Sequence, residues 1–185
     1  MTPILGIMAS AISGNLWAPG KDYDSIATVT ASGSPATLSL TSIPSTYRHL
    51  QIRVFGGNTT ANSAYMTFNS DTANNYSRHR LSGNGTAASA SGTATYGGIS
   101  IGANAGLLFT TSGAMAGSVI DFLDYANTNK NKTTRSITGW DNNTNGYLDF
   151  ESGSWSNTAA VTRIDFTMAS NTWANGSIIA LYGVK

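Results

Sequence analysis

The stretch Tyr47–Phe55 reads Tyr-Arg-His-Leu-Gln-Ile-Arg-Val-Phe and alternates without a break. Leu50, Ile52 and Val54 share one parity; His49, Gln51 and Arg53 share the other. Successive side chains on a strand point to opposite faces, so this pattern makes one dry and one wet face. A parallel sheet covered by helices on both sides would read as a continuous apolar run instead. Tyr47–Phe55 is therefore expected to be an inner strand of an antiparallel sheet, with the rest of the chain packed on its Leu-Ile-Val face.

The composition supports that expectation. Of 185 residues, 41% are hydrophobic and only 10% charged. Asn, Ser, Thr and Gly take the place of the charges; Gly and Asn suit turns, Thr suits strands, and the mixture disfavours long helices. A chain of this length suits one domain and buries enough surface to fold without staples. The net charge is +1, and no basic run is interleaved with aromatics, which argues against a nucleic-acid partner. There is no cysteine, so disulfides and thiolate zinc sites are excluded.

The first residues, Thr2–Gly14, form the most apolar run. It is too short for a bilayer-spanning helix and lacks the basic start of a secretory signal, the first cation being Lys21. No membrane partner is expected. The preferred reading is an extended arm, residues 1–22, that docks on a neighbouring subunit. Ile4, Leu5, Ile7, Met8 and Ile12 are its candidate assembly residues, each contributing about 1.5–3 kcal/mol if fully buried.

From Tyr23 the chain reads as one all-β domain, residues 23–185. Strands are expected at 23–30, 36–42, 47–55, 64–69, 76–81, 99–101, 115–125, 132–140, 147–155, 161–168 and 177–184, with turn signals between them. Met66 and Phe68, Ile120 and Phe122, Leu148 and Phe150, and Ile164, Phe166 and Met168 are assigned inward. The link Ile43–Thr46 is so short that its two flanking strands are expected to be neighbours in one sheet. Ser82–Gly98 is small and almost featureless and reads as a long loop; residues 102–113 have no firm period. The closing strand is apolar on both faces, which suits a central position or an interface. Strands of this length and spacing indicate an antiparallel β-sandwich or barrel.

Three stretches taken together, Ser42–Arg53, Val119–Lys132 and Ala180–Lys185, resemble a family of small β-rich virion proteins of tailed bacteriophages. The likeness covers most of the chain from Tyr23 onward. It implies a jelly-roll-like sandwich, a homotrimer, a place on the exterior of the phage particle and no catalysis. Such proteins serve as head decoration (cement) subunits or as tail-fibre and tail-tip domains. A fibre carries a long repetitive or coiled-coil shaft; here the only extension is the run before Tyr23, about 65 Å at full stretch. Head decoration is the favoured role, with copies of the chain itself and the major capsid protein or tail proteins as partners, bound through the arm and the sandwich edges. A tail-fibre or tail-tip domain, or a module binding a host-surface glycan, is the alternative.

Several motifs offer chemistry, and each has a plainer account. Asp141-Asn-Asn-Thr-Asn-Gly146 opens like a calcium loop, with Asp141, Asn143, Asn145 and, at the ninth position, Asp149 as candidate ligands. The twelfth position is Ser152 where a bidentate Glu is wanted, so a hairpin turn is the preferred reading and no metal or other cofactor is assigned. Gly98-Ile-Ser100-Ile-Gly102 matches a nucleophile elbow but has no helix after it. His49 and His79, with Asp121 or Asp124, could complete a triad only if the fold gathers them. Both are expected on the wet surface. Trp17, Trp140, Trp155 and Trp173 raise a sugar-platform reading against the simpler one that large aromatics close a core. No catalytic residues are assigned.

Overall fold

The computed structural model describes residues 22–60, 62–102, 107 and 115–185. Among them are strands and turns and no helix. The strands are β1 (Tyr23–Thr30), β2 (Thr37–Leu40), β3 (His49–Phe55), β4 (Ala64–Phe68), β5 (Tyr76–Gly83), β6 (Ala88–Tyr96), β7 (Ile99–Ile101), β8 (Gly117–Leu123), β9 (Lys132–Asp141), β10 (Gly146–Trp155), β11 (Ile164–Met168) and β12 (Ile178–Val184). They form an antiparallel sandwich. One sheet has eight strands in the order β1-β12-β3-β8-β9-β10-β5-β6, the other four in the order β2-β11-β4-β7. The arm residues Ile4, Leu5, Ile7, Met8 and Ile12, with Trp17, lie outside the described residues, as does most of 102–113.

β3 is the inner strand its alternation requires, paired with β12 on one side and β8 on the other. Leu50, Ile52 and Val54 are buried, and so are Ile120, Phe122, Ile179 and Leu181 on its neighbours. The small sheet answers with Leu38, Leu40, Met66, Phe68, Ile164 and Phe166. Two inner faces packed in this way exclude water from a layer about 10 Å thick. Phe68 and Phe122 join the sheets, with ring centroids 4.6 Å apart.

β2 and β3 are not neighbours. β2 pairs with β11 in the small sheet and β3 lies in the large one, so the short link is a crossover between layers. It is held from both sides. Ser42 takes a positive φ of 56°, the Ile43 N–H bonds the Thr162 carbonyl at 3.0 Å, and the buried Tyr125 hydroxyl donates to the Pro44 carbonyl. Side-chain alternation gave no hint of this, because both strands present one apolar face to the same core.

Ser82–Gly98 is not a loop. β5 runs on to Gly83, and β6 pairs with it along its length. The turn between them is closed by Asn84 Oδ1, which accepts from the Thr86 and Ala87 N–H groups at 3.0 and 2.8 Å. β6 is an edge strand exposed along most of its length. Its ladder of hydrogen bonds, not an apolar face, holds it, so Ala, Ser, Gly and Thr suffice. Both edges of the large sheet carry a register shift, at Ser25/Ala27 in β1 and at Tyr76/Arg78 in β5 facing β6. Such bulges twist an edge away from further strand pairing.

Gly183 in β12 is required by contact. A Cβ there would lie 2.3 Å from the Tyr47 ring. Gly183→Ala is expected to cost about 2 kcal/mol through forced displacement of that ring, read as a lower midpoint in urea. An unchanged midpoint would show that Tyr47 is free to move.

Candidate interaction face

β10 runs in the phase opposite to its apolar pattern. Leu148 and Phe150, expected inward, are 52% and 56% exposed, while Asp149 and Glu151 are buried. The cause lies at the strand's C-terminal end. Trp155 is buried in an aromatic cluster, stacked on Tyr76 at 6.1 Å and tilted against Phe68 at 5.5 Å; its indole N–H donates to Asp71 Oδ2 at 2.9 Å. Gly153 faces the same way, and a Cβ on it would lie 2.6 Å from Ile99 Cγ2. These two positions set the parity, and by alternation the acids turn in and Leu148 and Phe150 turn out.

The result is an apolar outer face on the large sheet. One row of direct cross-strand partners runs Leu81, Phe150, Ile137, Val119. A parallel row runs Leu148, Gly139, Gly117, Phe55, Ile178. The seven large residues in these rows are 37–56% exposed, leaving on the order of 600 Å² of apolar surface open, at the upper end of what monomers show. Beside the first row lies a hollow of about 250 Å³ bounded by Val119, Asp121, Arg135, Ser136, Ile137 and Phe150. A third row is polar: Arg135 faces Asp121, and Asp121 faces Gln51, whose amide donates to Asp121 Oδ1 at 3.1 Å. Arg53 lies over the Tyr182 ring at 4.9 Å.

Beneath this face, inside the sandwich, Glu151 Oε2 accepts from the Gly102 N–H at 3.2 Å, while Oε1 is buried with no hydrogen-bond partner among the described residues. Burial pushes the Glu151 carboxyl up to about 7, and the neighbouring Asp149 adds to the rise. Arg78 and Arg80 on β5 and the Gly102 N–H pull the other way without overcoming it. A second buried ionisable group, Lys132, gives its ammonium to the carbonyls of Asn127, Lys130 and Thr158 at 2.5, 2.8 and 3.0 Å. That satisfies all three donors and ties together two turns.

The other candidate residues are placed as follows. Asp141–Gly146 is the β9–β10 hairpin turn. Asp141 Oδ1 accepts from the Asn143 N–H at 2.7 Å, and Asn142 Oδ1 accepts from the Thr144 and Asn145 N–H groups. Asn143 and Asn145 are exposed in the turn, whereas Asp149 is buried three residues up the strand, about 10 Å away. The four do not converge. Among the described residues no group of three or more His, Cys, Asp or Glu could hold a metal ion.

Ser100 is buried in β7, on the parity opposite to the inward Ile99 and Ile101, and so belongs to the outer side of the small sheet. His49 and His79 sit on the outer side of the large sheet, with the sandwich between them and Ser100. His49 Nδ1 accepts from the Asp124 N–H at 3.1 Å, and Asp124 pairs with Lys130 at 3.1 Å. These residues form no triad. Trp155 and Trp173 are core residues, the latter donating to the Phe166 carbonyl at 3.0 Å. Trp140 is half-buried against Tyr147, centroids 5.8 Å apart.

Comparison with family models, curated proteins and solved structures finds no match.

Proposed function

We propose that this chain is a structural subunit of a bacteriophage virion, most simply a head-decoration (cement) protein that binds copies of itself and the capsid lattice. The observation that carries an assembly role is the open apolar face of the eight-stranded sheet. A surface of that size and composition is costly to leave in water and marks a contact site. The resemblance of Ser42–Arg53, Val119–Lys132 and Ala180–Lys185 to virion proteins supplies the setting. The bulged edges direct association to the sheet face, with the apolar run Thr2–Gly14 as the second attachment element.

The test is re-addition of purified protein to particles stripped of it. Full-length chain is expected to rebind, and a chain lacking residues 1–14 is expected to keep its fold and lose attachment. Rebinding by the truncated chain at full strength would contradict the role given to that run.

One observation favours a second reading, a glycan-binding tail domain. Tyr147 lines two depressions of about 390 and 290 Å³, the first rimmed by Asn84 and Ser89, the second by Asn84, Asp141 and Trp140. Aromatic faces beside amide and hydroxyl groups suit a sugar ring. On that reading Trp140→Ala abolishes host-surface binding and removal of residues 1–14 leaves it intact.

A further inference from the structure

We infer that the outer face of the eight-stranded sheet is closed by a second copy of this chain, about a two-fold axis that runs along the strands between β8 and β9. The inference rests on the assembly reading above and specifies its contact, a two-fold one in place of the three-fold association that the resemblance implies. A two-fold axis in that position lays β8 of one copy over β9 of the other, so each feature must meet a complement.

Three features do. Among the described residues nothing lies within 4 Å of where a Cβ on Gly117 would stand, so it is a hollow in the face. The axis sets it opposite Gly139 of the second copy, and Leu148 already leans over Gly139, its Cδ1 only 3.3 Å from the Cβ position there. Leu148 of each copy therefore fills the hollow of the other. One row along, Ile137 meets Val119. In the polar row, Asp121 meets Arg135, twice by symmetry, so the charges at the rim are self-complementary as a two-fold contact demands. The net charge of +1 per chain opposes pairing only weakly.

The exposed apolar surface, on the order of 600 Å² per copy, approaches the ~800 Å² that each partner gives to a standard interface, and the polar row adds to it. Aligned packing of two twisted sheets is a common arrangement, and a glycine at the centre of each face lets them approach.

The experiment is sedimentation equilibrium on the full-length chain from about 1 to 100 μM, a range that brackets the dissociation constants of modest interfaces. The expected species contains an even number of copies. Gly117→Leu fills the hollow from the same side and is expected to give monomer with an unchanged melting temperature. Asp121→Arg is expected to weaken association at least tenfold, and adding Arg135→Asp to restore it.

Monomer throughout, or a species of three copies, overturns the inference. So does an oligomer that tolerates Gly117→Leu but dissociates when residues 1–21 are removed, since that segment would then be the contact. Particle re-addition in parallel separates the two ideas. Rebinding without even-numbered association sinks only the two-fold contact. A dimer that never binds particles sinks only the virion role.

Discussion

Trp155→Ala is expected to cost about 3–5 kcal/mol, and Phe150→Ala, five residues away on the same strand, less than about 0.5 kcal/mol. The two aromatic side chains are comparable in size. What separates them is parity. Trp155 is buried among Phe68 and Tyr76 and hydrogen-bonded to Asp71, so its removal leaves a cavity and takes one of the hydrogen bonds from Asp71 Oδ2, which keeps that of Asn75. Phe150 stands more than half exposed on the outer face and leaves neither. Urea denaturation of the monomeric form measures both. Equal losses would mean that β10 is not inverted, and the open apolar face would disappear with it.

The second large effect is on pH dependence. Glu151 has a carboxyl raised from 4.5 to about 7 in the folded state. A group raised on folding binds its proton more tightly in the native protein. Its contribution is therefore complete below about pH 4.5 and is lost as pH rises through 7. A difference of that size corresponds to about 3 kcal/mol by linkage. Wild-type protein is accordingly expected to lose stability between pH 5 and pH 8. Glu151→Gln keeps an acceptor for the Gly102 N–H and carries no charge. It is expected to flatten the curve over that window and to exceed the wild type by up to about 3 kcal/mol at pH 8.

At lower pH the sign reverses. Asp71 is held below its ordinary range by hydrogen bonds from Asn75 and the Ala73 N–H, with Trp155 adding to them. Asp165 is held low by Arg163 and Ser39 against the opposing effect of its burial. Both lose their stabilising contribution as they are protonated. Parallel curves for wild type and Glu151→Gln would show that Glu151 is solvated.

Much of the fold was legible in residue order, and the reasons it was not legible elsewhere are specific. β3 declares itself because Leu50, Ile52 and Val54 alternate with His49, Gln51 and Arg53, and β8 in part because Asp121 separates Ile120 from Phe122. β6 does not, because an edge strand held by its ladder and by polar contacts such as that of the Tyr65 and Tyr96 hydroxyls needs no apolar face. The layer change between β2 and β3 depends on the Tyr125 hydroxyl, a contact 81 residues distant.

β10 misleads most. Leu148 and Phe150 suggest inward parity, yet Trp155 and Gly153 outweigh them, one by burying an indole and the other by making room for Ile99. Counting back by twos from Trp155 would have placed Asp149 and Glu151 inside. A local rule broken in this way, with apolar residues in water and acids in the core, marks a surface shaped for something besides folding. The hairpin at Asp141–Gly146 is the converse case: the turn was readable from Asn-Gly, and the turn is what forms.

The chain contains no cysteine, so a single introduced thiol reports on one position alone. The decisive measurement is the maleimide labelling rate of Ile137→Cys, at the centre of the outer face, against Thr128→Cys in the exposed β8–β9 turn. At low concentration both thiols are expected to react at similar rates. At high concentration, or on the particle, the thiol at 137 is expected to be protected at least tenfold while that at 128 stays reactive. Equal labelling of both under all conditions would mean that the face remains in water, and the account of this protein as an assembly subunit acting through that face would be wrong.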